Sequence, residues 1–562
     1  MDSKYWQRPL SRRRAIKGGA MGVMGAGMLL AGMGCSDDDS PGGAATATAT
    51  AGGSATGTET PGGEGTRGGQ LRHALDRDPV SFDPHIEASF RTQFAGVGNA
   101  YNSLMTLNAD LQAEPDLASE VEVLEDGSVR FQLHEGVKFH DIAPVSGRVL
   151  TSEDVVASIE RIRTDAPEFQ RAYMFEQITD FETPDDRTVI MKFAEPFAPL
   201  FNYVANPFSA IIPQEALEAT GDLRQTVIGT GPFVQTRADM GSTFELQRNP
   251  DYFRADRPYL DSIRIDVMPD ASSRLAALRA GELTIETRPT PDDAMLFQGD
   301  DKWVVLEHSQ EGQATVRYNC ASGPFADERL RKAFDLALIR QENIDLVLGG
   351  QGYLSGPVGP GLGDRWSYTQ QQLDAMPGYR EDKEEDYAEA RKLLEAAGLT
   401  EFNPKFIYYT PADTNETNAV AIQQQLARAG IGINVTLEHL DYAAWIPQML
   451  DGSFEVTVTT SGFRDNPDEY LYALFATGAS RNDTGYSNPA LDDLLNAQRL
   501  EMNEDARSEL VFQIQDRLME EVPNSWLYSA AGFQIHSANL KGYHATFSHN
   551  SPRQFVNAWL EA

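Results

Sequence analysis

KFIYYTPADTNETNAVAIQQQLARAGIGINVTLEHLDYAAWIPQMLDGSFEVTVTTSGFRD, residues 405–465, alternates between two kinds of element. Residues 405–410 (KFIYYT) read as a strand, and 416–429 read as a helix that ends at Gly430. Ile433, Val435 and Leu437 alternate as a strand over 433–440. Residues 442–450 read as a helix, although Pro447 strains it, and 454–460 (FEVTVTT) alternates again. Strand, helix, strand, helix, strand is the pattern of a parallel α/β sheet. Ligands of such sheets bind beyond the carboxyl ends of the strands. The loop to look at is therefore the one that follows residue 460: Ser461-Gly462-Phe463-Arg464-Asp465.

Elsewhere the periodicity differs. SEVEVLEDGSVRFQLHEGVKFH, residues 119–140, has period-2 apolar positions on either side of Asp126-Gly127, which predicts a hairpin. Next, Thr151 and Asp154 have the spacing of a capping box, and Val155, Val156, Ile159 and Ile162 form one apolar helical stripe.

The first residues read as an address. Arg12, Arg13 and Arg14 precede a 17-residue run, 18–34, in which seven residues are glycine. The run is short and weakly apolar for a bilayer span, which needs roughly 20 apolar residues. A basic head, an apolar middle and small residues before a processing point predict an export signal over 1–34. Residues 36–69 contain no leucine, isoleucine, valine or aromatic residue, so they cannot build a core. They predict a disordered tether rich in alanine, glycine and threonine, about 30–35 Å in mean span.

About 490 residues follow, more than one ordinary core, which predicts two or more lobes. The chain carries a formal charge of −36; residues 1–34 hold six Lys/Arg and one Asp, so removing that +5 leaves −41. Such acidity argues against binding nucleic acid or anionic lipid through a broad basic face. It fits a salty habitat and simple solubility equally. The chain has two cysteines, Cys35 and Cys320. If Cys35 is lipidated, no disulfide can form within the chain; Cys320 reads as a small buried hydrophobe.

Catalytic patterns are missing. The nine histidines form no H-E-x-x-H and no Cys/His cluster with metal spacing. There is no G-x-S-x-G elbow and no Walker loop. The reading is a binding protein with no cofactor and no metal.

Ser11-Arg12-Arg13-Arg14-Ala15-Ile16-Lys17 resembles the twin-arginine export consensus, with Ala15 in place of the usual Phe. Leu30-Ala31-Gly32-Met33-Gly34-Cys35 resembles a lipoprotein signal-peptidase site, with Gly32 where Leu is usual. These resemblances imply a lipidated Cys35 at the head of the 35–69 tether. The remaining chain resembles, nearly end to end, the extracytoplasmic solute-binding proteins of peptide-type ABC importers (the oligopeptide, dipeptide and nickel binders). Its motifs are Ser81-Phe82-Asp83-Pro84-His85, Tyr101-Asn102-Ser103-Leu104, Pro115-Asp116-Leu117-Ala118, Gly136-Val137-Lys138-Phe139-His140-Asp141, Gly229-Thr230-Gly231-Pro232-Phe233, Asn249-Pro250-Asp251-Tyr252-Phe253, Pro324-Phe325-Ala326-Asp327 and Tyr486-Ser487-Asn488-Pro489. Three departures stand out: a longer loop between His140 and Ser152, Ile339 where Asp is usual before Arg340, and Phe463 in place of a frequent tryptophan.

The resemblance implies an α/β, two-lobed periplasmic-binding-protein fold of type II, large class, with an extra subdomain in lobe one. Lobe one would be 70–309 with 528–562 and lobe two 310–527, with strands crossing near 314–320 and 526–535. It implies capture of short peptides between the lobes and delivery to permease subunits, the ATPase subunits acting indirectly. Asp465 would pair with the peptide ammonium, with Asp468 as its rival. The backbone of Ser461, Gly462 and Phe463 would pair with an extended peptide. Phe82, Tyr101, Asn319 and Tyr486 are further ligand candidates. The implied location is outside the cytoplasmic membrane, lipid-anchored on its outer side or in the periplasm. Two alternatives stay open: a non-peptide solute such as an oligosaccharide or metal chelate, and presentation of ligand to a membrane sensor. Sugars would stack on tryptophans, of which Trp303, Trp366, Trp445 and Trp526 are candidates.

Overall fold

In the computed structural model of the chain, the alternation at 405–461 folds as five elements. Strands Lys405–Thr410, Thr436–Asp441 and Val456–Ser461 are joined by helices Asp413–Ala429 and Tyr442–Leu450. Lys405–Thr410 lies between the other two strands and runs parallel to both. The Thr436–Asp441 strand begins three residues later than its alternation predicts. Ile433 and Val435 are buried, and it is this burial that the alternation senses; but Ile433 makes only an isolated bridge to Phe402, and the ladder starts at Thr436 opposite Lys405. The Tyr442–Leu450 helix continues through Pro447, held by its buried Trp445 and Met449.

The described residues are 65–86, 89–108, 111–164, 166, 168–169, 171–309, 312–410, 413–461, 466–479, 481–544 and 551–561. All lie within the compact unit 54–562. Arg12, Arg13, Cys35 and most of the spacer lie outside them.

The sheet that holds these strands is mixed. Gln313–Tyr318 pairs antiparallel with Val456–Ser461 on one side and with the first part of Asn524–Ser537 on the other. Asn524–Ser537 is 14 residues long and outruns that pairing. Its second part pairs with Trp303–Ser309 and Ile285–Glu286. Beyond it the order is Ile285–Glu286, Gln70–Leu75, Ser262–Val267, Thr243–Arg248, Phe233–Asp239. One strand thus serves two half-sheets.

Each half-sheet has its own apolar core. Leu71, Phe82, Phe94, Phe233, Phe244 and Ile263 belong to the first. Val316, Phe325, Phe334, Phe406, Ile422 and Val456 belong to the second, and Tyr470, Leu471, Phe475, Leu495 and Trp526 form a further cluster on that side. On the first lobe sits a separate antiparallel sheet, ordered Ala118–Val123, Val129–Leu133, Thr188–Phe193, Ile178–Asp185. Its first two strands are the hairpin at Asp126-Gly127, where Val123 faces Val129 and Gly127 takes a φ of +83°. The Ser152–Ile162 helix begins with the Thr151 amide donating to the Asp154 carboxylate at 2.9 Å, and Val155, Ile159 and Ile162 are buried.

Candidate functional site

The chain order of the three parallel strands creates a crevice. From Lys405–Thr410 the chain crosses to Thr436–Asp441 on one side, then returns to Val456–Ser461 on the other. Such a reversal leaves a gap beyond the carboxyl ends of the two inner strands. The pairing shows this gap opening. Phe406 pairs with Val456 and Ile407 with Thr457, and among the described residues that ladder goes no further. Among the described residues, 458–461 pair on their far side only, with 313–316. The last tie below the gap is Thr457, whose hydroxyl donates to Ile407 O at 2.9 Å and accepts from Trp445 Nε1 at 3.0 Å.

The far end of the loop is anchored. Asn466 caps helix Pro467–Phe475: its Oδ1 accepts from the Asp468 amide at 2.9 Å. Asn466-Pro467-Asp468-Glu469 places a capping side chain, a proline at the first helical position and acids in the first turn, each favourable at a helix start. The buried Arg507 donates to the same Asn466 Oδ1 and to Gln498 Oε1, both at 3.1 Å.

Asp468 is buried and engaged. Its carboxylate accepts from Gln498 Nε2, from the Tyr203 hydroxyl at 3.3 Å, and lies 3.4 Å from Arg499 Nε. Glu469 Oε1 accepts from the Tyr173 hydroxyl at 2.5 Å. Burial, with the facing carboxylates adding to it, pushes both phenols well above their usual range, so both remain proton donors. In this conformation Asp468 faces a protein partner from the other lobe rather than open crevice.

Of the sequence candidates, Asp465, Gly462 and Phe463 lie outside the described residues. Ser461 ends its strand, paired with Gln313. Asn319 is buried: its Nδ2 donates to Gly452 O and Phe454 O at 2.6 and 3.0 Å, and its Oδ1 accepts from the Ala321 and Ser322 amides. The Tyr486 hydroxyl donates to Glu521, which also accepts from the capping residue Asn488. Phe82 stacks edge-on against Phe244 in the first core, and the Tyr101 hydroxyl accepts from the Ile228 amide at 3.2 Å. The structure therefore does not bring these four side chains together; each is enclosed in packing. Of the four candidate tryptophans, Trp445 and Trp526 are buried and Trp303 and Trp366 half-buried, the latter beneath Arg507. Cys320 is half-buried, and burial raises its thiol to about 11.

Several of the sequence motifs meet around the first core, whereas Phe325 and Tyr486 of two others pack in the clusters of the second. Asn102 Nδ2 donates to Asp116 at 2.9 Å, Arg254 donates to Asp116 at 3.1 Å, and Thr230 Oγ1 donates to Asn102 Oδ1 at 3.1 Å. Gly229 N donates to His140 Nδ1 at 3.3 Å, so His140 Nε2 carries the proton it donates to Gly231 O at 3.1 Å. Asp83 accepts both arms of Arg161 at 2.9 and 2.6 Å. Arg161 also donates to His85 Nδ1 at 2.9 Å, leaving His85 Nε2 to donate to Ala210 O. Burial lowers both His85 and His140 to about 4, with the Arg161 charge assisting at His85. Burial opposes ionisation of Asp83, but the Arg161 hydrogen bonds and charge outweigh it and hold the carboxyl below its usual value.

Among the described residues no helix is long and apolar enough to cross a membrane, and no three His, Cys, Asp or Glu side chains are grouped as a metal site requires.

Comparison with known proteins agrees with this architecture. The sequence profile described as bacterial extracellular solute-binding proteins, family 5 (middle), matches residues 112–482. The chain is 28% identical over 474 residues to di/tripeptide-binding protein 1 of Pseudomonas aeruginosa (strain UCBPP-PA14), spanning 79% of this chain and 86% of that one. It is 26% identical over 497 residues to heme-binding protein A of Haemophilus influenzae, spanning 83% and 88%. Among solved structures it is similar to the ABC transporter-associated periplasmic binding protein DppA from Helicobacter pylori in complex with peptide STSA: TM-score 0.68, 24% identity, 88% of this chain and 99% of that one. The fold is that of the type II two-lobed periplasmic binding proteins.

Proposed function

The chain belongs to the bacterial extracellular solute-binding proteins of family 5, and from that premise we propose that it captures short peptides between its lobes and delivers them to the permease subunits of an ABC importer. The observation that carries this reading is the one-sided pairing of residues 458–461 beside the gap. An extended peptide can add to such an edge through its main chain, which reads no side-chain identity. Ser461, Gly462 and Phe463 would supply that backbone. Asp465 would pair with the peptide ammonium, because a buried ammonium without a partner costs several kcal/mol. The engagement of Asp468 by Tyr203, Gln498 and Arg499 supports Asp465 over its rival. In this reading Phe82, Tyr101, Asn319 and Tyr486 shape the lobes that carry the site. The names of the P. aeruginosa and H. pylori relatives support peptide as the solute class.

The lobes are taken as 70–309 with 528–562, and 310–527. Residues 1–34 act as a twin-arginine export signal, recognised through Arg12 and Arg13. Cys35 carries the lipid, and the 35–69 spacer holds the trap beside its permease, outside the cytoplasmic membrane. The chain has no catalytic role. A second reading, capture of a non-peptide solute, is favoured by the similarity to a heme-binding protein.

Native mass spectrometry of the full chain, before and after mild denaturation, tests the two. Released masses spread over short peptides support the first reading; one discrete non-peptide mass overturns it. Asp465→Asn should then weaken peptide binding by about 100-fold, the scale of leaving a buried charge unpaired.

A further inference from the structure

At one end of the crevice the two cores meet through side chains. Tyr203 belongs to the first core and Tyr173 packs against it. Asp468 and Glu469 stand in the first turn of Pro467–Phe475, whose Tyr470, Leu471 and Phe475 belong to a cluster of the second lobe. Tyr173 donates to Glu469 and Tyr203 to Asp468 across this boundary, over separations of 296 and 265 residues. Beside them the Ala198 amide donates to Arg499 O at 2.8 Å. The Arg499 guanidinium lies 5.0 Å from the Phe197 ring centroid, and that of Arg481 lies 5.3 Å from the Tyr173 ring. Met502, from the second lobe, packs on the first core.

We propose that Tyr173, Tyr203, Asp468 and Glu469 form a closure clasp, made when the lobes shut and broken when they part, which sets how much of the solute-free chain is already closed. The inference rests on the two-lobed trap and not on which solute fills it. The clasp differs in kind from the crossing strand. Asn524–Ser537 joins the lobes by continuous backbone pairing, which cannot part without unfolding a sheet. The clasp is made of hydroxyl–carboxylate bonds, and all four groups find water when separated. Such exchangeable bonds suit a reversible contact, each contributing about a factor of ten in the closing equilibrium. A solute that binds only the closed form has its apparent affinity scaled by the closed fraction. These residues touch no solute; they are positioning residues for capture.

The test uses the full chain without solute. Tyr173→Phe and Tyr203→Phe remove the hydroxyls and keep the rings. In the double variant the radius of gyration from small-angle scattering should rise. Amides in Leu200–Ala205 and Pro467–Phe475 should exchange with deuterium at least about tenfold faster, one lost clasp bond setting that floor. Exchange in Val129–Leu133 and Lys405–Thr410, inside each lobe, should not change. Glu469→Gln, which keeps an acceptor but loses its charge, should fall between. Unchanged radius and exchange in the double variant would overturn the clasp. So would an equal loss of protection in the two interior strands, since the hydroxyls would then merely hold the fold.

Discussion

Gly229 has no space for a side chain. A Cβ there would stand 2.1 Å from Ala100 O and 2.7 Å from the Tyr101 ring. Backbone cannot retreat as a flexible side chain can, so Gly229→Ala should destabilise the chain by about 3 kcal/mol. Chemical denaturation would read that as a lower midpoint with an unchanged slope. The motif holding Gly229 is visible in the sequence, and so are its partners Tyr101 and His140. Their meeting is not, because no local pattern records a contact across 128 residues. For the same reason Tyr101, Phe82, Asn319 and Tyr486 read as ligand candidates: a resemblance places a position along the chain and does not say whether solute or packing surrounds it. Tyr173 and Tyr203 carry no sequence signal at all, being single tyrosines in unremarkable surroundings.

Elements were more legible. In 405–461 the apolar spacing locates each strand and helix, because burial against one layer imposes it. Boundaries slip where burial and hydrogen bonding part company, as at Ile433, which is buried ahead of its ladder. Asn466-Pro467-Asp468-Glu469 has the form of a helix start, yet its anchorage by Arg507 lies 41 residues away and is silent in the sequence. That anchorage makes a test. Asn466→Ala removes the cap and one acceptor of a buried guanidinium. Loss of the cap alone costs about 1–2 kcal/mol. The melting temperature should fall, and deuterium exchange should quicken first in Pro467–Phe475. If that helix kept its protection, Asn466 would not be the anchor of the loop.

For the molecule as a whole, acid is the condition to examine. His85 and His140 are held neutral in the fold, lowered from 6.5 to about 4. The unfolded chain protonates both as pH drops below about 6.5. Between roughly 6.5 and 4 the unfolded state therefore binds more protons, so stability rises with pH and is lost on acidification. Each histidine contributes on the order of 3 kcal/mol across that window. Asp83, held below its usual value, adds stability that is lost further down, as pH falls through its folded value. Unfolding free energies at pH 7, 6 and 5 should decline steadily, and a flat profile would contradict the buried neutral imidazoles. The two lobes themselves were foreseeable from length and motif order, and the resemblance also implied a strand crossing near 526–535; what appears only in three dimensions is the register by which Asn524–Ser537 pairs with both half-sheets. That strand also constrains how the protein is made. A ribosome exposes Asn524–Ser537 only after every other strand of both half-sheets has been synthesised. Until then Gln313–Tyr318 and Ile285–Glu286 each wait with an open edge, and neither lobe can finish alone on the nascent chain. Assembly is thus deferred until Asn524–Ser537 has emerged, when that single late segment completes both halves together.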